Sequence, residues 1–239
     1  IINYLDSVVD ANPTLASTYS AGQTFEKREL KVIALKSGSP SKAIWLDCGI
    51  HAREWISPST CIYMIDKLNA QDPVTTKILN QYEIHFMPLV NPDGYDYTWT
   101  TSRLWRKNRV PNAGSTCIGV DLNRNYGFQW MVSSPKCLKQ SSVLWVFLLE
   151  MFGLKRLAAR ATNPCSDTFA GPFADSEKET RAMEDEILKY KGTWDSYLTI
   201  HTYGLWWFLP WGYSTATIPD YKDLEAKGQH RRCCHQIRQ

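Results

Sequence analysis

The sequence lacks the features that mark nucleic-acid-binding and membrane-spanning proteins. Its 27 Lys and Arg residues barely outnumber its 24 Asp and Glu residues, and no basic block reaches five residues. That excess is too small for the electrostatic footprint of a nucleic-acid-binding surface. The longest apolar run, Val143 to Leu149, is about a third of a membrane span. We therefore expect no nucleic-acid partner and no membrane partner.

We expect neither a secretory leader nor a thiolate metal motif in this sequence. Residues 1–6 have neither the basic start nor the long apolar stretch of a secretory leader, which indicates a cytosolic protein or a processed chain. No CxxC pair occurs among the seven cysteines, which argues against a four-thiolate zinc site. Seven is an odd number, so at least one thiol has no partner within the chain. The others are buried free thiols or form one or two disulfides of a secreted protein.

The apolar and aromatic content is that of a globular domain. Hydrophobic residues make up 44% of the chain and aromatic residues 13%, enough for one large core. Helical and strand-like patterns alternate along the sequence. Helices are predicted over 1–11, 57–69 and 175–190, and strands over 30–35, 43–46, 84–90 (closed by residues 91–94) and 197–200. This alternation predicts an α/β fold with a mostly parallel or mixed sheet.

A histidine and a glutamate three residues apart stand between a predicted strand and a predicted helix. His51 and Glu54 would lie on one side of a turn, where an imidazole and a carboxylate can both bind one Zn²⁺. His201 follows another predicted strand, and ligands gather at strand ends in open α/β sheets. The three residues predict a His₂Glu site with an open position for water. The spacing alone is not specific, because surface His and Glu are common.

The remaining three histidines are weaker candidates for metal ligands. His85 lies inside a predicted strand, where a hydrogen-bonded structural histidine is expected. His230 and His235 stand in a charged tail. A metal clip of Cys233, Cys234 and His235 is conceivable there, but it lacks a second ligand pair.

An amide and a guanidinium stand side by side in a second polar cluster. Asn123 and Arg124 follow Asp121 and precede an aromatic residue, Tyr126. These residues are either solvated surface or a clamp, since an Arg beside an amide suits bidentate capture of a carboxylate. A zinc site near a carboxylate clamp indicates a peptidase that reads the C-terminal end of its substrate.

On these residues the sequence resembles the zinc metallocarboxypeptidases of the pancreatic carboxypeptidase A/B family. The matching stretches are DCGIHAREWISPSTC (47–61), LVNPDGYDYTWTTSRLWRKNR (89–109), CIGVDLNRNYGF (117–128), NPCSDTFAGPFADSEKETRA (163–182) and LTIHTYG (198–204). The resemblance covers nearly all of 1–130 and 163–228. It implies a three-layer α/β/α fold with a mixed, mainly eight-stranded sheet, here lacking the final strand and helix.

The resemblance implies roles around the metal. His51, Glu54 and His201 match the ligands of a single Zn²⁺, in agreement with the site argued from residue chemistry. Asp121 matches the carboxylate that orients the first zinc histidine. Arg106 matches the arginine that polarises the scissile carbonyl and stabilises the oxyanion.

The resemblance also implies how the substrate is held. Asn123 and Arg124 match the pair that grips the C-terminal carboxylate. Arg53 and Tyr203 match residues that hold the peptide further upstream. The implied substrates are peptide or protein C-termini.

Four cysteines match disulfide positions of the same family. Cys48 and Cys61 stand where the B-type enzymes place a short disulfide, and Cys117 and Cys165 stand where the family places its common one. These pairs imply a secreted protein, which we expect to be a monomer.

Two parts of the sequence depart from the family. Residues 131–162 and 229–239 match nothing in it, and the segments implied to carry the general-base glutamate, a substrate-capping tyrosine and the base of the specificity pocket are not found. We therefore predict a catalytic domain over 1–228, incomplete and interrupted by 131–162, and an unmatched tail. Read-through of an intervening sequence and a shifted frame would account for both stretches. A genuine insertion is the alternative for 131–162, although long structureless loops are uncommon.

The resulting hypothesis is a secreted zinc metallocarboxypeptidase that hydrolyses the C-terminal peptide bond of peptides. Loss of a general base typically lowers a rate by 10²–10⁴-fold, so the chain as written is expected to bind zinc and carboxylates but to cleave poorly. The alternative is a non-catalytic zinc-dependent binder of peptide C-termini. Further alternatives are a chain that does not fold alone and a cytosolic zinc deacylase, which the cysteine pairs disfavour.

Overall fold

The computed structural model describes residues 1–128, 130–131, 161–204, 206–210, 216–229 and 236–237. The unmatched segment 131–162 lies outside the described residues except at its ends, and so does most of the tail 229–239. The metal clip considered for the tail lies outside them as well. The proposed origins of both stretches, and the domain boundaries drawn around them, stay predictions.

The described residues alternate between helices and strands. Six helices are observed: α1 (Ile2–Ala11), α2 (Ile56–Asn69), α3 (Pro73–Gln81), α4 (Pro92–Thr100), α5 (Lys178–Lys189) and α6 (Tyr221–Gln229). Seven strands accompany them: β1 (Ala16–Gln23), β2 (Glu29–Leu35), β3 (Lys42–Cys48), β4 (Tyr82–Met87), β5 (Trp194–Ile200), β6 (Trp206–Trp207) and β7 (Gln236–Ile237). Within the described ranges, no helix combines the length and the apolar character that a membrane crossing needs.

Five strands form a mixed sheet in the order β1-β2-β4-β3-β5. The first two pairings are antiparallel, whereas β3 runs parallel to both β4 and β5. The predicted α/β fold with a mixed sheet is confirmed. The resemblance implies eight strands, and the described residues contribute five of them to this sheet. The strands β6 and β7 form a separate short parallel pair.

The sheet separates two apolar cores. Side chains of a strand point alternately to its two faces, and β2 shows this directly. Its Ile33 and Leu35 pack on one side with residues of α1, α2 and α3, whereas its Leu30 and Val32 pack on the other side with residues of α5. Helices therefore cover both faces, which is the three-layer arrangement that the sequence resemblance implies.

The predicted elements correspond to observed ones, with ends that differ by a few residues. The stretch 91–94, which is predicted to close the strand before it, also begins a helix. The Asn91 side chain accepts a hydrogen bond from the Gly94 N–H at 2.9 Å, and Pro92 occupies the first turn of α4. Pro is tolerated there because the N–H it lacks would have no helical partner.

The edge strand β1 is absent from the sequence-based prediction. Its sequence, ASTYSAGQ, is mostly polar, and its residues are largely half-buried or exposed. It is the outermost strand in the described sheet and pairs there with β2. Much of it lies near solvent, so its position requires few apolar side chains. Such a strand carries little of the apolar signal from which strands are predicted.

The described residues form two disulfides, Cys48–Cys61 and Cys117–Cys165. The first joins the last residue of β3 to the middle of α2. The second joins two loops that lie 48 residues apart in the sequence. Both are the pairs that the resemblance implies.

His85 lies in the sheet interior among aromatic rings. It is 1% exposed, and the Tyr19 hydroxyl lies 2.9 Å from its Nδ1 atom. The rings of Trp45, Tyr190 and Trp194 also surround it. Burial lowers the pKa of His85 from 6.5 to about 4, because a charged imidazole is poorly solvated there. These contacts are those of a structural histidine.

The depressed pKa of His85 predicts a loss of stability in mild acid. The unfolded chain takes up a proton at this residue below pH 6.5, whereas the folded protein does so only near pH 4. The contribution of neutral His85 is therefore complete above pH 6.5 and declines as the pH falls toward 4, by roughly 3 kcal/mol in total.

Urea unfolding of the wild type and of His85→Gln between pH 7.5 and 4 measures this contribution. The variant has no imidazole at this position, so the difference between the two unfolding free energies should shift in favour of the variant as the pH falls. Parallel pH profiles would contradict the prediction.

Candidate metal centre

The turn after β3 carries the first two candidate ligands. Gly49 has a positive φ of +68°, and a Cβ atom there would lie 2.9 Å from a Leu89 side-chain carbon. Glycine meets both constraints. The chain then turns so that the Glu54 N–H donates to the His51 carbonyl at 3.1 Å. His51 and Glu54 consequently share one side of a buried turn.

The third candidate ligand comes from the neighbouring strand. β3 and β5 are parallel, and Cys48 is paired with Ile200 at their carboxyl ends. His201 directly follows Ile200, so it leaves the sheet beside the turn that holds the other two residues. The carboxyl ends of parallel strands are the usual place for ligands in open α/β sheets. The structure thus brings together the three residues that the sequence predicts as a metal site.

The three side chains converge through specific atoms. His51 Nδ1 lies 2.8 Å from Glu54 Oε1, and His201 Nδ1 lies 3.1 Å from Glu54 Oε2. The two Nδ1 atoms are 3.2 Å apart. In a tetrahedral zinc site with bonds of about 2.0–2.1 Å, ligand atoms are separated by roughly 3.3 Å. The observed spacings fit that geometry, and two nitrogens with one carboxylate are a donor set that zinc prefers.

Asp121 fixes the orientation of His51. Its Oδ1 atom lies 3.2 Å from His51 Nε2, and the carboxylate is fully buried. A proton on Nε2, donated to this carboxylate, leaves the Nδ1 lone pair facing the other two ligands. Burial alone would raise the pKa of Asp121, but the neighbouring His51, Arg106 and Arg124 hold it well below its usual range. The group is therefore a permanent carboxylate.

The same carboxylate holds Arg106 next to the site. Arg106 donates from Nε and Nη2 to Asp121 Oδ2 at 3.0 and 2.8 Å. Its third nitrogen, Nη1, lies 3.9 Å from Glu54 Oε1. The side chain is nearly buried, so its positive charge is weakly screened. A guanidinium in this place favours negative charge that develops beside the metal ligands.

Glu54 is ionised as a ligand must be. Burial by itself would raise the pKa of Glu54, but its hydrogen bonds to His201 and His51 outweigh this effect and lower it well below the usual range. The Thr202 N–H also donates to Glu54 Oε2 at 3.0 Å. These contacts fix both carboxylate oxygens.

Asn123 and Arg124 lie on a short 3₁₀ turn, Leu122–Arg124, that Asp121 caps. Asp121 Oδ1 accepts the Asn123 N–H at 3.1 Å, and Arg124 Nη1 donates to the Asn123 carbonyl at 2.9 Å. Burial lowers the pKa of Arg124, an effect that Asp121 opposes and Arg106 reinforces. The guanidinium of Arg106 thus contacts Asp121, and that of Arg124 interacts electrostatically with the same carboxylate, so the positive charge gathered here suits an anion.

Arg53 and Tyr203 lie further out. Arg53 Nη1 donates to the Leu104 carbonyl at 3.2 Å and to Asp167 at 3.1 Å, so its side chain is held against the loops beside the turn. The Tyr203 side chain is almost fully exposed, two residues after His201. Both residues are close in sequence to candidate ligands, and in the structure both lie nearer to solvent than those ligands.

Sequence reasoning missed a buried carboxylate beneath the site. Asp47 lies at the end of β3, where it accepts hydrogen bonds from Tyr197 at 2.5 Å and Thr199 at 2.7 Å on β5. Burial raises its pKa to about 6, although these hydrogen bonds oppose the shift. A charged residue ending an apolar strand is the signal in the sequence, but its partners on β5 are distant along the chain.

Comparison with known families agrees with this geometry. A family model described as zinc carboxypeptidase matches residues 1–232 of the chain. Mast cell carboxypeptidase A of Rattus norvegicus is 35% identical over 228 residues, covering 94% of this chain and 49% of that protein. Carboxypeptidase B of Astacus astacus is 37% identical over 225 residues, covering 93% of this chain and 66% of that protein.

Solved structures show the same similarity. Thrombin-activatable fibrinolysis inhibitor superposes with a TM-score of 0.80 at 27% identity, over 99% of this chain and 57% of that one. Carboxypeptidase A from Helicoverpa armigera gives a TM-score of 0.78 at 27% identity, over 95% of this chain and 50% of that one. The chain spans about half the length of the mammalian relatives it matches.

Removal of the Asp121 charge tests how the site is organised. Asp121→Asn should weaken zinc binding by about 10- to 100-fold, because His51 loses the acceptor that fixes its ring and tautomer. Competition with a chromophoric chelator measures the affinity. Asp195→Asn is the matched control, since Asp195 pairs with Lys42 at the surface. Equal affinities for the two variants would contradict the assigned role of Asp121.

Proposed function

We propose that this chain, which belongs to the zinc carboxypeptidase family, is a zinc-dependent metallocarboxypeptidase that hydrolyses the C-terminal peptide bond of peptides or proteins. One observation carries the proposal. The buried His51 of the His₂Glu cluster and the buried Arg106 both contact one carboxylate, Asp121, which also caps the turn that carries the buried Arg124. That arrangement combines a metal site with a site for an anionic chain end.

His51, Glu54 and His201 would hold one Zn²⁺. Such an ion supplies Lewis acidity toward a carbonyl oxygen and lowers the pKa of a bound water to near neutrality. The protein residues then have defined tasks around it. Asp121 keeps His51 in the tautomer that leaves Nδ1 free to bind, and the Thr202 N–H fixes one oxygen of Glu54.

Arg106 would stabilise charge on the scissile carbonyl. Two of its nitrogens are anchored on Asp121, and Nη1 is directed toward the ligand Glu54. The guanidinium is therefore already oriented before substrate arrives. Pre-oriented donors in a buried site stabilise a developing oxyanion without reorganisation.

Asn123 and Arg124 would bind the terminal carboxylate of the substrate. Arg124 is nearly buried, and Asp121, whose negative charge acts on it, is shared with Arg106 and His51. A substrate carboxylate would supply the missing negative charge through charge-assisted hydrogen bonds. Arg53 and Tyr203, which lie nearer the surface, would contact residues upstream of the cleaved bond. Because the site would bind the terminal carboxylate on one side of the metal and the upstream residues on the other, the enzyme would remove residues from the C-terminus of its substrate.

The cellular setting follows from the cysteines. Two disulfides in one domain are typical of proteins that fold in oxidising compartments. On this basis we propose an extracellular protein, and we propose separately that it is a monomer.

A second candidate function is non-catalytic, zinc-dependent binding of peptide C-termini. One observation favours it. Both carboxylates that contact the ligand histidines are already engaged, Glu54 as a ligand and Asp121 by Arg106 and His51. Neither is available to accept a proton from water. The chain would then bind chain ends without cleaving them.

A turnover assay combined with calorimetry separates the two functions. Zinc-loaded protein is incubated with an N-blocked dipeptide, and release of the C-terminal residue is followed with and without a chelator. Release that the chelator stops and added zinc restores is the expected result for the enzyme. Heat of binding without release indicates the binder. Neither release nor binding would overturn both proposals.

Loss of the Arg124 guanidinium should weaken recognition of a free chain end. Arg124→Gln should lower the affinity for a peptide with a free C-terminus by about 10- to 100-fold, the value of a hydrogen bond to a charged group. It should leave the affinity for the C-terminally amidated peptide unchanged. Arg28→Gln, which removes a guanidinium paired with Asp93 and Asp96, is the control. Equal losses for both peptides would contradict the clamp.

A further inference from the structure

We propose that Ser57 is a positioning residue that fixes the two ligand-bearing segments, the turn that carries His51 and Glu54 and the end of β5 that precedes His201, relative to one another. The inference rests on the proposed zinc site formed by His51, Glu54 and His201. Ser57 lies in the first turn of α2 and is fully buried. It makes hydrogen bonds to the backbone of both segments that carry the candidate ligands.

The hydroxyl of Ser57 connects the turn after β3 with the end of β5. Its Oγ atom accepts the Gly49 N–H at 2.9 Å, two residues before His51. The same oxygen donates its proton to the carbonyl of Ile200, the residue before His201. One hydroxyl therefore uses both its donor and an acceptor to bridge the turn after β3 and the end of β5.

The backbone of Ser57 makes a further contact within the first of these segments, at Glu54. Its N–H donates to the carbonyl of Glu54 at 2.9 Å. A single residue thus contacts the chain at Gly49, Glu54 and Ile200. These hydrogen bonds all go to backbone atoms, so their influence on the metal has to act through the position of the backbone.

The location of this bridge explains why it matters. The register between β3 and β5 ends at the pair Cys48 and Ile200. Beyond that pair the two chains separate, one toward His51 and the other toward His201. Ser57 spans the gap between Gly49, the first residue after β3, and Ile200, the last residue of β5. Because it is buried away from water, its hydrogen bonds are strong and costly to leave unmade.

A purely structural role and a positioning role predict different results. Loss of a buried hydroxyl lowers stability wherever it occurs in a fold. Loss of a bridge between ligand segments should lower metal affinity in addition, because the metal must then order those segments itself. Residues that orient ligands typically change metal affinity by about 10- to 100-fold.

Thr24 offers a matched control. Its buried hydroxyl also has two partners, donating to Asp93 Oδ1 at 2.7 Å and accepting the Arg28 N–H at 3.0 Å. None of these residues is next to a candidate ligand. Thr24→Val and Ser57→Ala each remove one bridging hydroxyl, and they differ in whether that hydroxyl joins the ligand segments.

The experiment measures zinc affinity by chelator competition and metal-free stability by urea unfolding. Ser57→Ala should bind zinc about 10- to 100-fold more weakly than the wild type, whereas Thr24→Val should change the affinity by less than about twofold. Ser57→Thr, which keeps the hydroxyl, should restore most of the affinity. Equal affinities for wild type and Ser57→Ala would overturn the inference while leaving the zinc site intact. Failure of the wild type to bind zinc would overturn the proposed function and the inference together.

A second measurement uses the wild type alone, in case Ser57→Ala does not fold. Coupling between two sites is reciprocal, so zinc should strengthen the bond from the Gly49 N–H to Ser57. Amide hydrogen exchange at Gly49 should slow on zinc addition by a larger factor than exchange at Arg28, whose N–H donates to Thr24. Equal slowing at both amides would overturn the inference.

Discussion

The arrangement of the candidate site depends on one buried carboxylate. Asp121 contacts His51 Nε2, holds two nitrogens of Arg106 and caps the turn that carries Asn123 and Arg124. An ionised group with no access to water is costly unless several donors surround it. Here the donors are the residues that would bind the metal, the scissile carbonyl and the substrate terminus. The need to solvate one negative charge thus brings three functional groups together.

The sheet solves a different problem, which is to bring distant parts of the chain together. His51 and His201 are 150 residues apart in sequence, yet their Nδ1 atoms lie 3.2 Å apart. The parallel pairing of β3 with β5 produces this proximity, since both histidines follow strands whose ends lie side by side. Asp47 and Ser57 reinforce the junction, one within the sheet and the other just beyond it.

Local sequence patterns predict those parts of the structure that depend on local chemistry. The spacing of His51 and Glu54 indicates a shared side of a turn, and His201 stands out because it follows an apolar strand. His85 can be separated from them because it lies inside a strand, where burial among aromatic neighbours lowers its pKa. The network that joins Asp47 to β5 cannot be found in this way. Its members are about 150 positions apart in sequence. The sequence of one strand alone does not predict which other strand it pairs with. The polar edge strand β1 is missed for a related reason. Its extended conformation is stabilised by hydrogen bonds to β2, and its own sequence has no apolar pattern that would predict it.

The register between β3 and β5 has a consequence for how this protein tolerates changes in length. The spacing of the ligand atoms is fixed by hydrogen bonds across neighbouring strands, by Ser57 and by Asp121, and none of these depends on how many residues join the two strands. Residues 131–162, which the sequence predicts to depart from the family, fall within that connection. Residues can therefore be added to the connection between β3 and β5 without changing the distances between the ligand atoms. The spacing of the candidate ligand atoms therefore does not depend on the length or path of the chain that joins the two strands.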